Sequence, residues 1–235
     1  MLPLYDTIPS RRKPYVVYAL IGLNVVVFFY QLSLSRVELI QFMYNFGLVP
    51  ARFTLNRWST IWQIRTGLSL YSNKWLTFLT HMFLHGGWSH LIGNMWFLGL
   101  FGDNVEDTLG HFRFLLFYLS GGILASLAHF SLNLSSQVPM VGASGAISAV
   151  MGAYFVLFPY SRIVSIVPFF FFFMPALVAV PAFTYLFFWF IFQVLSGLFD
   201  SPTGSGVAYW AHIGGFVVGM VYGYIYRVRR RRYYW

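Results

Sequence analysis

Residues 163–199 contain no Asp, Glu, Lys or Arg, and residues 14–35 are likewise uncharged and mostly apolar. A water-facing surface cannot be built from such stretches. Only 9% of the 235 residues are charged, against about 25% in an ordinary soluble domain. The chain therefore reads as a multi-span membrane protein. A crossing takes about 20 apolar residues, so the length suits about six of them with modest loops. The expected fold class is all-α: a polytopic six-transmembrane-helix bundle, forming one membrane-embedded domain over residues 1–235.

The spans are expected at about residues 15–34, 88–104, 112–130, 144–160, 181–199 and 207–226. The basic residues before the first run resemble the start of a signal peptide. That run is long, however, and no A-x-A cleavage site follows it, so it is read as a retained span. A long extracytoplasmic connection, residues 35–74, separates the first span from the second. It is too polar to cross the bilayer and too aromatic for a floppy linker (Phe42, Tyr44, Phe46, Phe53, Trp58, Trp62). An ordered loop at the membrane surface is expected there, where Trp and Tyr prefer to sit. In the second long run, Pro168, Pro175 and Pro181 interrupt any helix. Residues 169–173 are expected to lie in the interface or fold back.

The net charge of +9 comes from 15 basic and 6 acidic residues. Arg11, Arg12 and Lys13 abut the first span, and Arg227 and Arg229 through Arg232 follow the last. Basic residues so placed act as topology determinants rather than as a nucleic-acid surface. Both termini are expected to be cytoplasmic, which demands an even number of spans. Arg113 and Arg162 then also fall inside. The expected location is a prokaryotic plasma membrane, with the protein integral and multi-pass. The chain has no cysteine, which excludes disulfides, thiolate catalysis and Cys-ligated metals.

Small residues recur every four positions in two spans: Gly145, Ala149 and Ala153 in the fourth, and Gly215, Gly219 and Gly223 in the sixth. Such faces let membrane helices approach closely, so these two spans are expected to touch. Polar side chains inside spans are costly and usually face the bundle interior. His90, Asn94, Ser144 and His212 stand out. With the N-terminus inside, spans two, four and six all run inward from the outer side. These residues lie near their starts, so all four share a similar depth. His90 and Asn94, four apart, share one helix face.

A serine hydroxyl is a poor nucleophile until a base takes its proton, and a histidine ring does this near neutral pH. Asp103, Glu106 and Asp107 lie at the opposite end of their span, and Asp200, in the outer loop before the sixth span, is expected to lie too far from the ring, so a Ser144–His212 dyad is the economical reading. An attacked carbonyl becomes an oxyanion and needs preorganised donors. The Asn94 amide, a His90 ring N–H and the Ser144 backbone N–H, free in the first turn of a helix, are available.

At these residues the sequence resembles the rhomboid family of intramembrane serine proteases. Residues 142–145 read GASG, like the family's GxSG; His90 to Asn94 read HLIGN, like HxxxN; Ala211 to Gly219 read AHIGGFVVG, like AHxxGxxxG. The resemblance implies a six-helix serine endopeptidase that cuts transmembrane segments of other membrane proteins near their outer ends. Ser144 would be the nucleophile and His212 the general base. His90 and Asn94 would be oxyanion donors, and Gly142 and His85 would line the site, with His85 holding water. Cofactor and metal are not expected; the partners are transmembrane substrates and the lipid bilayer, with no nucleic acid. Two departures stand out. Trp75-Leu76-Thr77 replaces a Trp-Arg pair that many relatives carry, and Ser148 stands where relatives often place an aromatic against the catalytic histidine.

Two other classes compete with this reading. A catalytically inactive relative would only bind membrane segments, against which the intact Ser144 and His212 argue. A metal transporter could use the cluster His81, His85 and His90, but no acidic residue accompanies them within a span and no internal repeat is evident.

Overall fold

The computed structural model describes residues 1–168, 175–200 and 206–232. A short strand β1 (Leu2–Asp6) leads into helix α1 (Tyr15–Ser33). Four shorter helices follow: α2 (Arg36–Phe46), α3 (Ala51–Thr54), α4 (Trp58–Thr66) and α5 (Thr77–Thr80). Then come α6 (Trp88–Leu109), α7 (His111–Leu132) and α8 (Ser144–Leu157). Strands β2 (Arg162–Pro168) and β3 (Pro175–Pro181) precede α9 (Ala182–Phe199) and α10 (Tyr209–Arg232).

The architecture is mostly helical. Among the described residues, three helices, α1, α7 and α9, are long and apolar enough to cross a membrane by length and composition. Helix α6 carries Asp103, Glu106 and Asp107 in its last turns, and α8 is 14 residues long. The helix ends follow local chemistry. Ser35 and Glu38 form a reciprocal capping box at the start of α2, satisfying two backbone donors. Gly110, at φ +81°, makes the sharp corner between α6 and α7. The Glu106 carboxylate accepts from the backbone N–H groups of Val16 (3.0 Å) and Val17 (2.8 Å). A buried acid thus meets the positive end of α1.

The all-α expectation needs one correction. Strands β1, β2 and β3 form an antiparallel sheet in that order. Proline at 168 and 175 bars a helix, and the β-branched residues around them (Ile163, Val164, Ile166, Val178, Val180) favour an extended backbone. β1 ties the N-terminus to the bundle through Asp6, whose carboxylate accepts from Asn104 Nδ2 (2.8 Å), the Tyr154 hydroxyl and the Ile8 N–H. Burial pushes the Asp6 carboxyl above its ordinary range. Residues 169–173, expected in the interface, lie outside the described residues.

The connection between α1 and α6 is built of short ordered helices. Tyr44, Trp58 and Trp62 pack together. The buried guanidinium of Arg52 donates to the carbonyls of Tyr44 (3.1 Å), Asn45 (3.4 Å) and Ser72 (3.1 Å). Arg52 therefore crosslinks this segment, although the Trp-Arg pair of many relatives is absent.

Helix α8 is the hub, packed against α10, α7, α6 and α9. Its contact with α10 is backbone on backbone. A Cβ built on Gly215 would sit 2.2 Å from the Gly145 carbonyl oxygen, and one on Gly219 only 1.9 Å from that of Ala149. The two small-residue faces meet, as their spacing predicts.

Candidate active site

The approach of α10 to α8 brings Ser144 and His212 together. Ser144 opens α8, and its Oγ lies 2.8 Å from His212 Nε2. The loop before the serine is held from both sides. Leu48 and Met140 exchange backbone hydrogen bonds of 3.0 and 2.8 Å, and the Gly142 N–H donates to the His81 carbonyl at 2.9 Å. Gly142 adopts φ +117°, a region that favours glycine. The absent side chain matters too, because a Cβ there would fall 2.6 Å from the His90 ring. The His90 imidazole therefore lies directly against the loop that carries Ser144.

A cavity of about 620 Å³ opens here, lined by Ser144, His212, His90, Asn94, Trp189 and Gln193 among others. Asn94 Nδ2 is buried and has no hydrogen-bond partner among the described residues. A buried, unpaired donor costs energy, and this one borders the cavity beside the serine. The Gly86 N–H donates to His90 Nδ1 at 3.4 Å. That contact leaves the ring's proton on Nε2, the nitrogen nearer Gly142.

His85 does not line the cavity with these residues. It stands behind His90, with ring centroids 5.1 Å apart. Its backbone is clamped by Gln31, which donates to the His85 carbonyl (2.9 Å) and accepts from its N–H (3.0 Å). His81 is buried farther off, its Nδ1 on the Thr77 carbonyl at 2.8 Å. Among the described residues, no three of His, Asp and Glu are grouped as metal ligands would be.

Ser148 does not hold the His212 ring; its hydroxyl donates to the Ser144 carbonyl at 2.7 Å. Helix α9 supplies the contacts instead. Gln193 Oε1 lies 2.8 Å from His212 Nδ1, and the Trp189 ring lies 6.2 Å from the imidazole, tilted 34°. Both residues escaped the sequence reading. Gln193 was findable, being the lone amide in residues 163–199, and the cost argument that singled out Asn94 applies equally to it.

A family model for the Rhomboid domain matches residues 72–229. The chain belongs to the rhomboid family. Rhomboids are integral membrane proteins that act on membrane-protein substrates within the bilayer. Putative rhomboid protease YdcA of Bacillus subtilis is 36% identical over 87 residues, 37% of this chain and 43% of that protein. Rhomboid-like protein 11, chloroplastic, of Arabidopsis thaliana is 43% identical over 82 residues, 34% of this chain and 29% of its own length. Rhomboid protein 1, mitochondrial, of Saccharomyces cerevisiae is 29% identical over 221 residues, covering 89% of this chain and 52% of the yeast protein. The chain thus spans about half or less of these rhomboids. Organellar and bacterial relatives stand side by side, so the prokaryotic expectation draws no support from them.

Two histidines near the site predict acid sensitivity. Burial, then the neighbouring His90 ring, holds the His85 imidazole down to about 3, and burial holds His81 down to about 4. In an unfolded chain both titrate near 6.5. Below that pH the unfolded state binds more protons, so folding stability falls as pH falls. The thermal unfolding midpoint in detergent should drop between about pH 6.5 and 5, above the ordinary carboxylate range. A midpoint constant over that interval would contradict the neutral, buried state of these rings.

Proposed function

We propose that this rhomboid is a serine endopeptidase that cleaves transmembrane segments of other membrane proteins near their outer ends. One observation carries the reading: Ser144 Oγ within 2.8 Å of His212 Nε2, at a cavity bordered by the unpartnered amide of Asn94. His212 Nε2 takes the hydroxyl proton as Oγ attacks the scissile carbonyl. The resulting oxyanion receives hydrogen bonds from Asn94 Nδ2, the Ser144 N–H and the His90 ring N–H. His212 then gives its proton to the departing amine, leaving an ester on Ser144. Water, deprotonated by the same ring, hydrolyses that ester and restores the serine.

In this reading six helices, α1 and α6 to α10, cross the bilayer as one domain, with both termini cytoplasmic and the site toward the outer side. The polar groups of Ser144, Asn94, His90 and Gln193 along the cavity wall give water a place that lipid does not. A substrate helix must release its backbone hydrogen bonds to present a scissile peptide, so segments that unwind easily near the outer face are the expected substrates.

The test is cleavage of a single-span substrate by purified, reconstituted protein, with and without prior fluorophosphonate treatment. Cleavage that the probe abolishes supports a serine protease. A folded protein that neither cleaves nor labels fits an inactive rhomboid instead. Asn94→Ala should lower kcat by about a hundredfold, the usual loss for one oxyanion donor, with KM little changed. Full activity in that variant would remove Asn94 from the mechanism.

A further inference from the structure

Gln193 is buried on α9, 6% exposed, in a run otherwise devoid of amides and charges. Polar groups in such a helix are costly unless partnered. Its Oε1 lies 2.8 Å from His212 Nδ1, while the opposite ring nitrogen lies 2.8 Å from Ser144 Oγ. We propose that Gln193 is the positioning residue for His212, filling the place that a carboxylate takes in a three-residue serine protease site. The inference rests on the serine protease reading above.

The chemistry follows from donor and acceptor counts. An amide oxygen only accepts, so His212 Nδ1 must carry the hydrogen. A neutral imidazole has a single N–H, so Nε2 is left with the lone pair that Ser144 Oγ–H needs. The same contact fixes the ring's rotation. Trp189, one helical turn before Gln193, shares its face of α9 and packs against the imidazole. Helix α9 therefore supplies both the edge contact and the face contact that orient the base. A neutral acceptor selects the tautomer but steadies the imidazolium less than a carboxylate does.

Among the described residues, the titratable groups near His212 are His90 from α6, His129 from α7 and Tyr209 from α10 itself. The carboxylate of Asp200, just past the end of α9, acts on His129 rather than on His212, so a carboxylate at position 193 would stand out in a pH profile.

The experiment compares wild type, Gln193→Leu and Gln193→Glu in detergent. It reads substrate cleavage and the rate of fluorophosphonate labelling against pH. Gln193→Leu should lower kcat and labelling by about ten- to a hundredfold at unchanged KM, part of the roughly 10²–10⁴-fold that a positioned base supplies. Gln193→Glu should keep activity at high pH and move the acid limb upward by about one pH unit, since an opposite charge favours the protonated ring. A Leu variant within about twofold of wild type, together with an unmoved acid limb in the Glu variant, would overturn the proposal. If neither variant folds, nitrogen NMR of histidine-labelled wild type decides it, with the His212 signal assigned from a His212→Ala spectrum. A proton on Nδ1 is expected, and a proton on Nε2 overturns the proposal. Wild type that neither cleaves nor labels counts against the protease reading instead, while the NMR measurement still judges the hydrogen bond.

Discussion

Ser144→Ala should yield a folded protein that neither cuts a single-span substrate nor takes up a fluorophosphonate. The substitution removes one oxygen, whose recorded partner is His212 Nε2 at 2.8 Å. Alanine is the best helix former and sits here at the first position of α8, so the fold is not strained. The unfolding midpoint should stay close to that of wild type. The chemistry is another matter, because among the described residues no other hydroxyl hydrogen-bonds to His212, and the Ser148 hydroxyl is spent on the Ser144 carbonyl. In soluble serine proteases, losing the nucleophile or the base costs about 10⁶-fold in kcat, and losing both costs little more. The same non-additivity is expected here. Ser144→Ala, His212→Ala and the double variant should share one residual rate. Substantial cleavage by the Ser144 variant would sink the mechanism, whatever the fate of His212.

Gly219→Ala should be nearly as damaging, although it adds only a methyl group far from the serine hydroxyl. That methyl carbon would sit 1.9 Å from the Ala149 carbonyl oxygen and 2.9 Å from its Cα. These are backbone atoms of a packed helix, which cannot turn aside as a side chain can. The helices must part, and overpacking in a close-packed interior costs about 1–3 kcal/mol, sometimes more. Separation of α10 from α8 also pulls His212 away from Ser144, so labelling should fall further than stability alone explains. Gly99→Ala is the control. It adds the same methyl to α6, where nothing lies within 4 Å, and alanine is favoured over glycine in a helix by about 1 kcal/mol. That variant should label normally and melt no lower than wild type. If Gly219→Ala behaved like Gly99→Ala, the backbone contact between α8 and α10 would be wrong.

Much of the helical frame was legible from residue chemistry. The runs beginning at Tyr15, Trp88, His111, Ser144, Ala182 and Tyr209 are helices because nothing within them breaks the backbone ladder. Asn94, Ser144 and His212 were conspicuous because polar groups in apolar helices need a reason. The small-residue stripes were legible because a glycine every four residues marks one face. The sheet was missed. The prolines and β-branched residues of β2 and β3 favour an extended backbone, but the third strand, β1, lies more than 150 residues away in sequence. Pairing across such a distance leaves no local signature.

The sequence by itself determined that this chain avoids water, which helices carry polar groups, and which family it joins, because composition, periodicity and motif spacing are local properties. The tertiary structure alone decided what holds the base. The resemblance implied an aromatic at the position of Ser148 in many relatives; here that hydroxyl is bonded to its own helix, and His212 is met by Gln193 and Trp189 from α9. It also decided that His85 backs His90 rather than lining the cavity. Such contacts depend on the rotation and separation of helices far apart in the chain, and those are set by packing the whole bundle at once.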